Sequence, residues 1–437
     1  MTPISWVHRS TAAWLTIAAL GATSLFAAPV SQAQQTTTLA VDGRTSANPT
    51  VAVDGPCVAV VWSAATVSSM DIYAAVSRDG GATFSAPVQV NAVAGEARVS
   101  GEEPPRVALV SRKGAAPEIV VVWTARAGAN WKLLTARSTD GGRAFSAATA
   151  VPGSAGDGSR GWQSLAVDAR GRVSVLWLDH RGTVVADSIH KHSMAAGGAP
   201  ASASPMPKAD PTERAGLSEL YFAPLNGSKA TSITKSPCYC CKTAMVADGD
   251  NLFAVWRHVF PGGHRDIAFT RSSDRGRTFS APTRVSDDLW KLDGCPDNGP
   301  SLAVDRTHRV HVAWPTPADG KTMSDMALFY AVSRDGKTFG PRTRIPTRGP
   351  AQHVQLAIGT DGTPVLAWDE IVDGTRRLGL ARAIVSPAGT VTFTPVTPPD
   401  AGPGQWYPAL ASAPTGALVV WVKQLDKGSS IGVARVR

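Results

Sequence analysis

A phrase returns four times along this chain: SRDGGATFSAPVQV (77–90), STDGGRAFSAATAV (138–151), SSDRGRTFSAPTRV (272–285) and SRDGKTFGPRTRI (333–345). Such self-similarity limits what the chain can fold into, because each copy is one supersecondary unit that has to stack on its neighbours. The chemistry of the phrase is that of a tight turn between strands. Asp and Ser side chains bond the turn's own backbone, Gly accepts positive φ, and the following Phe folds back between neighbouring strands.

Associated with these copies is a second phrase, a β-branched run ending in tryptophan: VAVVW, IVVVW, VSVLW, LFAVW, VHVAW, PVLAW and ALVVW. Its tryptophans are Trp62, Trp123, Trp177, Trp256, Trp314, Trp368 and Trp421. They recur about every 55–80 residues, a spacing that fits propeller blades with long loops. Another short strand precedes each, as in SLAVD at 164–168 and again at 301–305. Each blade therefore reads as strand a, strand b with its Trp, strand c entering the turn and strand d leaving it. The chain is predicted to be all-β, a single β-propeller of seven blades, with six as the alternative. The tryptophans pack the blades. The last blade ends without a strand d, and residues 36–41 are predicted to supply it by pairing with residues 431–436. Closure of this kind removes the exposed edges of an open sheet.

The N-terminus carries a basic start, MTPISWVHR, an uncharged apolar run at 12–28 and the small-residue site SQA at 31–33. This pattern predicts a signal peptide over residues 1–33, a propeller over 34–437, and a periplasmic or secreted location. No later segment has eighteen uninterrupted apolar residues, so no membrane span is expected. Lys and Arg number 43 against 34 Asp and Glu, a net charge of +9, but the charges are scattered. Scattered charge gives no support to nucleic-acid binding. A monomer is expected.

In a propeller the b–c loops and the d–a connections share the face around the central channel. Blade three has extra residues in its b–c loop, an inserted channel-face loop at about 179–215, and loops of that length usually serve a function or lack order. It contains Asp179 and His180, then His190, His192 and Met194, then an Ala/Gly/Pro/Ser-rich stretch. Onto the same face fall Arg106, Arg257, His258, Arg265 and Asp266, then Asp369, Glu370 and Tyr407. Arg106, Asp179, His180, Arg257, His258, Arg265 and Asp369 are the candidate ligand-binding residues.

Three of the five cysteines, Cys238, Cys240 and Cys241, enter blade four in SPCYCCKTAM, and Cys295 enters blade five. Cys57, at the start of strand b in blade one, is expected to pack as a small hydrophobe. In an oxidising compartment four neighbouring cysteines predict two disulfides, one of them from Cys295 to a member of the cluster. The second would join Cys240 to Cys241 through a strained, reducible ring or, as the alternative, Cys238 to one of them. The alternative is a thiolate site for copper or zinc, helped by His190, His192 and Met194 or by His258. No other cofactor is expected.

The repeated turn resembles the Asp-box repeat of sialidases and other bacterial neuraminidase repeat proteins. The run at 238–305 resembles secreted bacterial sialidase-like proteins in which Cys-x-Cys-Cys, Arg-Asp-Ile and Gly-Cys-Pro segments follow in this order. For a retaining exo-sialidase the resemblance implies Tyr407 as nucleophile, Glu370 as its base and Asp266 as acid. It also implies three arginines, opening with Arg-Ile-Pro in strand a, yet the first blade reads NPTVAVD at 48–54. Blade four has Lys242 in the corresponding place, and RIPT at 344–347 follows a turn instead of opening a strand. Lysine does not reproduce a bidentate arginine contact. The expectation is a non-catalytic binding module using its channel face for a small molecule, glycan, metal or protein partner. A glycoside hydrolase of exo-sialidase type is the alternative.

Overall fold

The computed structural model describes residues 1–2, 36–182, 211–292, 298–318, 325–388, 390–400 and 402–436. The chain divides into two units, Met1–Ala33 and Gln34–Arg437, and everything below concerns the second. His190, His192, Met194, Cys295 and most of the proposed signal peptide lie outside the described residues.

Seven four-stranded antiparallel sheets make up the second unit. Blade one shows the plan: β2 (Thr45–Asp54), β3 (Cys57–Ala65), β4 (Met70–Ser77) and β5 (Val88–Gln89), paired in that order. The innermost strands of the next five blades are β6 (Arg106–Arg112), β10 (Arg160–Val167), β14 (Ala244–Asp248), β18 (Ser301–Val304) and β22 (Ala351–Ile358). The seventh blade combines β26 (Gln405–Ala413), β27 (Gly416–Gln424) and β28 (Ser429–Val436) with β1 (Thr37–Leu39) from the other end of the chain. Thr37 pairs with Val433, Thr38 with Gly432 and Leu39 with Ile431. Each innermost strand touches the next, and β26 touches β2, so the ring of seven closes.

All seven repeat tryptophans are buried, each on the second strand of its blade. They fill the space between blades with β-branched neighbours such as Val60, Val121 and Val420. The room is close-fitted. A Cβ on Gly432 would lie 2.4 Å from the Trp421 indole, and one on Gly379 would lie 2.3 Å from that of Trp368. The four repeated turns share one hydrogen-bond pattern. Ser77, Ser138, Ser272 and Ser333 donate to Asp79, Asp140, Asp274 and Asp335 at 2.6–2.9 Å. The Asp carboxylates then accept backbone N–H groups from the far side of the turn. Each turn's Phe reaches back onto a hydrophobic cluster, as Phe84, Phe145, Phe279 and Phe339 do.

One element departs from an all-β reading. Among the described residues there is a single helix, α1 (Pro211–Gly216), in the long connection between β11 (Val173–Asp179) and β12 (Glu219–Pro224). Proline at its first position and Glu213 in its first turn suit a helix N-terminus. Among the described residues no helix is long and apolar enough to cross a membrane.

Candidate functional site

Four innermost strands carry the same irregularity. The pairing register slips between Ala47 and Thr50, Gly161 and Ser164, Gln352 and Gln355, and Trp406 and Ala409. Within each slip one non-glycine residue takes positive φ: Asn48 (55°), Trp162 (54°), His353 (54°) and Tyr407 (48°). Such a bulge re-aims a side chain that strict alternation would send elsewhere, and the left-handed backbone is costly enough to mark a position as special. Three of the four, Asn48, His353 and Tyr407, line the mouth of the central channel together with Thr50, Arg106 and Lys242. Below the mouth the channel opens into a cavity of about 200 Å³, walled by residues from all seven innermost strands or their leading ends.

The mouth is built around two carboxylates. Asp369, fully buried, receives His353 Nδ1 at 2.7 Å and the Tyr407 backbone N–H at 2.9 Å on one oxygen, and Arg376 on the other. Burial would raise its pKa, but His353 and Arg376 outweigh that and hold it below the ordinary value. The ring centroids of His353 and Tyr407 are 4.3 Å apart. Gly101 closes over Tyr407 so tightly that a Cβ there would lie 2.1 Å from the phenol ring. Across the mouth, Glu102 Oε2 accepts the backbone N–H groups of Lys242 (3.2 Å) and Gly299 (2.9 Å), and its Oε1 lies 3.8 Å from Lys242 Nζ. Burial lowers the Lys242 pKa, with Glu102 opposing. Arg106 donates from Nε to the Gln163 carbonyl at 2.8 Å. Arg106 retains some accessible surface, yet desolvation lowers its pKa to about 10. The two facts agree because that surface faces the channel, not bulk water.

A second cluster lies at the entry to blade four. Cys238 Sγ accepts from Arg265 Nη1 at 2.9 Å and lies 3.9 Å from Cys241 Sγ and 4.0 Å from Cys240 Sγ. The three sulfurs fall within 4.8 Å of one another, but Cys240 is disulfide-bonded, which leaves two thiols, Cys238 and Cys241, where a soft-metal thiolate site would want three or four ligands. The hydrogen bond from Cys241, with Arg265 and Arg257 behind it, overcomes burial and lowers the Cys238 pKa to about 6. Burial and the neighbouring Cys238 raise that of Cys241. Cys238 and Cys241 are free thiols. Their separation is nearly twice a disulfide bond length, which corrects the expectation of a second disulfide within the cluster: the chain holds these thiols apart, each packed in the core cluster around Trp162 and Trp256. Cys57 is also free, half-buried at the start of β3, with its pKa raised by burial.

The remaining candidates divide between these places and a third. Arg257 spends its donors on the carbonyls of Arg265 (2.8 Å), Asn298 (3.1 Å) and Pro315 (2.5 Å), tying blade four to blade five. His258 accepts from Trp256 Nε1 at 3.2 Å. Asp266 pairs with Arg284 at 3.0 Å and accepts the Trp290 N–H. Glu370 pairs with Arg348 at 2.7 Å. Asp179 is held by Arg160, Arg181 and Trp177, and His180 packs on Trp162 with ring centroids 5.2 Å apart. The mouth thus unites Arg106, Asp369 and Tyr407, and the thiol cluster takes in Arg265. The two carboxylates proposed to act with Tyr407 each face an arginine, while the phenol's neighbour is His353.

Neither a protein-family model nor a curated protein matches the chain. Among solved structures it is similar to a protein of unknown function from Dyadobacter fermentans, with 13% identity over 92% of this chain and 98% of that one, TM-score 0.47. It is also similar to the GH93 α-L-arabinofuranosidase of Fusarium graminearum in complex with arabinobiose, with 12% identity over 90% and 93% of the two chains, TM-score 0.48. Trypanosoma rangeli sialidase shows 13% identity over 88% of this chain and 67% of its own, TM-score 0.42. At these identities the likeness is one of fold and says nothing about chemistry.

Proposed function

We propose that this is an exported propeller whose channel mouth binds a small carboxylate-bearing ligand without turning it over. One observation carries the reading: Arg106 and Lys242 converge on the mouth, where Glu102 stands 3.8 Å from Lys242, while Asp369, which also acts on Lys242, is already paired with Arg376 and His353. With Asp369 offset by Arg376, these two cations held out of bulk water beside Glu102 leave a charge that an incoming carboxylate would neutralise. Asn48, Gln355 and Tyr407 add uncharged polar groups around the same space. This mixture of a few polar groups in a concave site is what ligand pockets share. Export rests on the N-terminal pattern.

A glycoside hydrolase is the second reading, favoured by Tyr407 standing beside an imidazole that Asp369 orients. In that reading His353 takes the part that a glutamate plays beside the nucleophile. The two readings separate in one set of measurements on the mature chain. Calorimetric titration with N-acetylneuraminic acid, glucuronic acid and their uncharged parent sugars should show binding only for the acids, lost in Arg106→Gln. Fluorogenic sialosides and arabinofuranosides should stay intact. Equal affinity for acids and neutral sugars would overturn the anion site, and turnover abolished by Tyr407→Phe would replace binding with hydrolysis.

A further inference from the structure

Cys238 and Cys241 stand in a Cys-x-x-Cys spacing, are 1% exposed each, and remain unjoined in a chain proposed to be exported. Thiols that only fill a core need no charge beside them. Here Arg265, fully buried, aims its guanidinium at the Cys238 sulfur. Its Nε is spent on the Leu292 carbonyl at 2.9 Å and its Nη1 on Cys238. Its Nη2 meets no acceptor of standard geometry among the described residues, and the nearby Tyr239 side chain, whose ring centroid is 5.6 Å from the guanidinium carbon, interacts with it only weakly. A buried guanidinium N–H left without an acceptor is costly, and this one belongs to the group that holds the sulfur. The Cys238 backbone N–H is fixed to the Arg257 carbonyl at 2.8 Å, so the sulfur is placed from both ends.

We propose that Cys238 is a peroxide-reactive thiolate and that Cys241 is the thiol that resolves it. The substrate class is hydrogen peroxide or a small hydroperoxide, because a partner protein or a bulky disulfide cannot reach a sulfur this buried. The spare Nη2–H of Arg265 supplies the donor for a peroxide oxygen beside the sulfur. The Cys238 thiolate attacks one peroxide oxygen: a sulfur–oxygen bond forms, the oxygen–oxygen bond breaks, and the departing hydroxide takes a proton and leaves as water. Cys241 then attacks the sulfenic sulfur: a disulfide forms, the sulfur–oxygen bond breaks, and the hydroxide leaves with the Cys241 proton as a second water. The dithiol gives up two electrons and the peroxide accepts them. The sulfurs must close from 3.9 Å to about 2 Å, a side-chain movement. Cationic neighbours that also stabilise a departing hydroxide distinguish this chemistry from metal capture, which they oppose.

The test uses the mature chain with its Cys240 disulfide intact and the free thiols unoxidised, exposed to stoichiometric hydrogen peroxide, then denatured, alkylated and digested with trypsin. The peptide of residues 236–242 should lose two alkylation sites, with Cys238 joined to Cys241, at least tenfold faster than Cys57 is modified. In Cys241→Ser the product should be a Cys238 sulfenic acid, trapped by dimedone. Arg265→Met should slow the reaction at least tenfold while the circular dichroism spectrum is kept. Oxidation of Cys57 at an equal or greater rate would overturn the proposal, and this arm needs no variant to fold. Stoichiometric copper or zinc that shields both thiols until a chelator removes it would overturn it in favour of a metal site.

Discussion

Asp369 Oδ2 accepts both His353 Nδ1, at 2.7 Å, and the backbone N–H of Tyr407, at 2.9 Å. One buried oxygen therefore fixes two bulged residues from neighbouring blades. Asp369→Ala should lower stability by about 3 kcal/mol, since removing one partner of a buried ion pair strands the rest. The figure is at the low end because the Arg376 side chain keeps 36% exposure and rehydrates. A fall in the urea midpoint with unchanged slope checks it.

Gly101 tests the mouth without touching a charge. Its substitution by alanine puts a methyl group 2.1 Å from Tyr407, so the ring has to move away from His353. Gly101→Ala should abolish binding of the acidic sugars while reducing the melting temperature only slightly. Retained affinity would mean that the ligand does not use this side of the mouth.

The acid limb of stability should come partly from two histidines. Burial lowers the pKa of His180 to about 4, and burial, then Arg284, lowers that of His258 to about 4. An imidazole whose folded pKa lies below its unfolded value of 6.5 binds fewer protons when folded. Its contribution is therefore fully present above pH 6.5 and is lost as the pH falls toward 4. Each amounts to on the order of 3 kcal/mol. His180→Phe should flatten the decline in unfolding free energy measured across that window.

Deleting residues 34–42 removes β1 and leaves β28 with an unpaired edge. Burial of Leu39 alone contributes about 2 kcal/mol, and its pairing hydrogen bonds are lost with it. The deleted chain should melt lower and associate with rising concentration, because an open strand edge templates pairing. Light scattering identical to that of the intact chain would contradict this.

Much of the fold was legible because its signals are local. The tryptophan strands and the Ser–Asp turns repeat within short windows, and the fourth strand of the last blade was recognisable by its lack. The turn of helix at 211–216 was not readable. The candidate site was harder. His353 and Glu102 drew no attention, and Lys242 appeared only as a substitute for arginine. Their positions depend on bulges, and one added residue in a strand reverses which side chains face the channel. The sequence does hold a trace of the bulge: Asn48, Trp162, His353 and Tyr407 each stand two residues before the small or polar residue at which regular pairing resumes. Cys240 is disulfide-bonded, but the second bond expected at Cys238 was misjudged because compartment chemistry favours oxidation in general, whereas Arg265 favours a thiolate at this sulfur in particular.

The pairing of Thr37 with Val433 also sets an order of events in time. A strand made among the first must wait for one made nearly four hundred residues later, so local hairpins form early while the ring stays incomplete. Such long-range closure is slow, since its entropy has to be met before any contact repays it. Translation can therefore run nearly to the end on a chain that has not locked. Once locked, β1 and β28 lie side by side, and a propeller rejoined there and opened at an exposed turn of another blade should still build the same wheel.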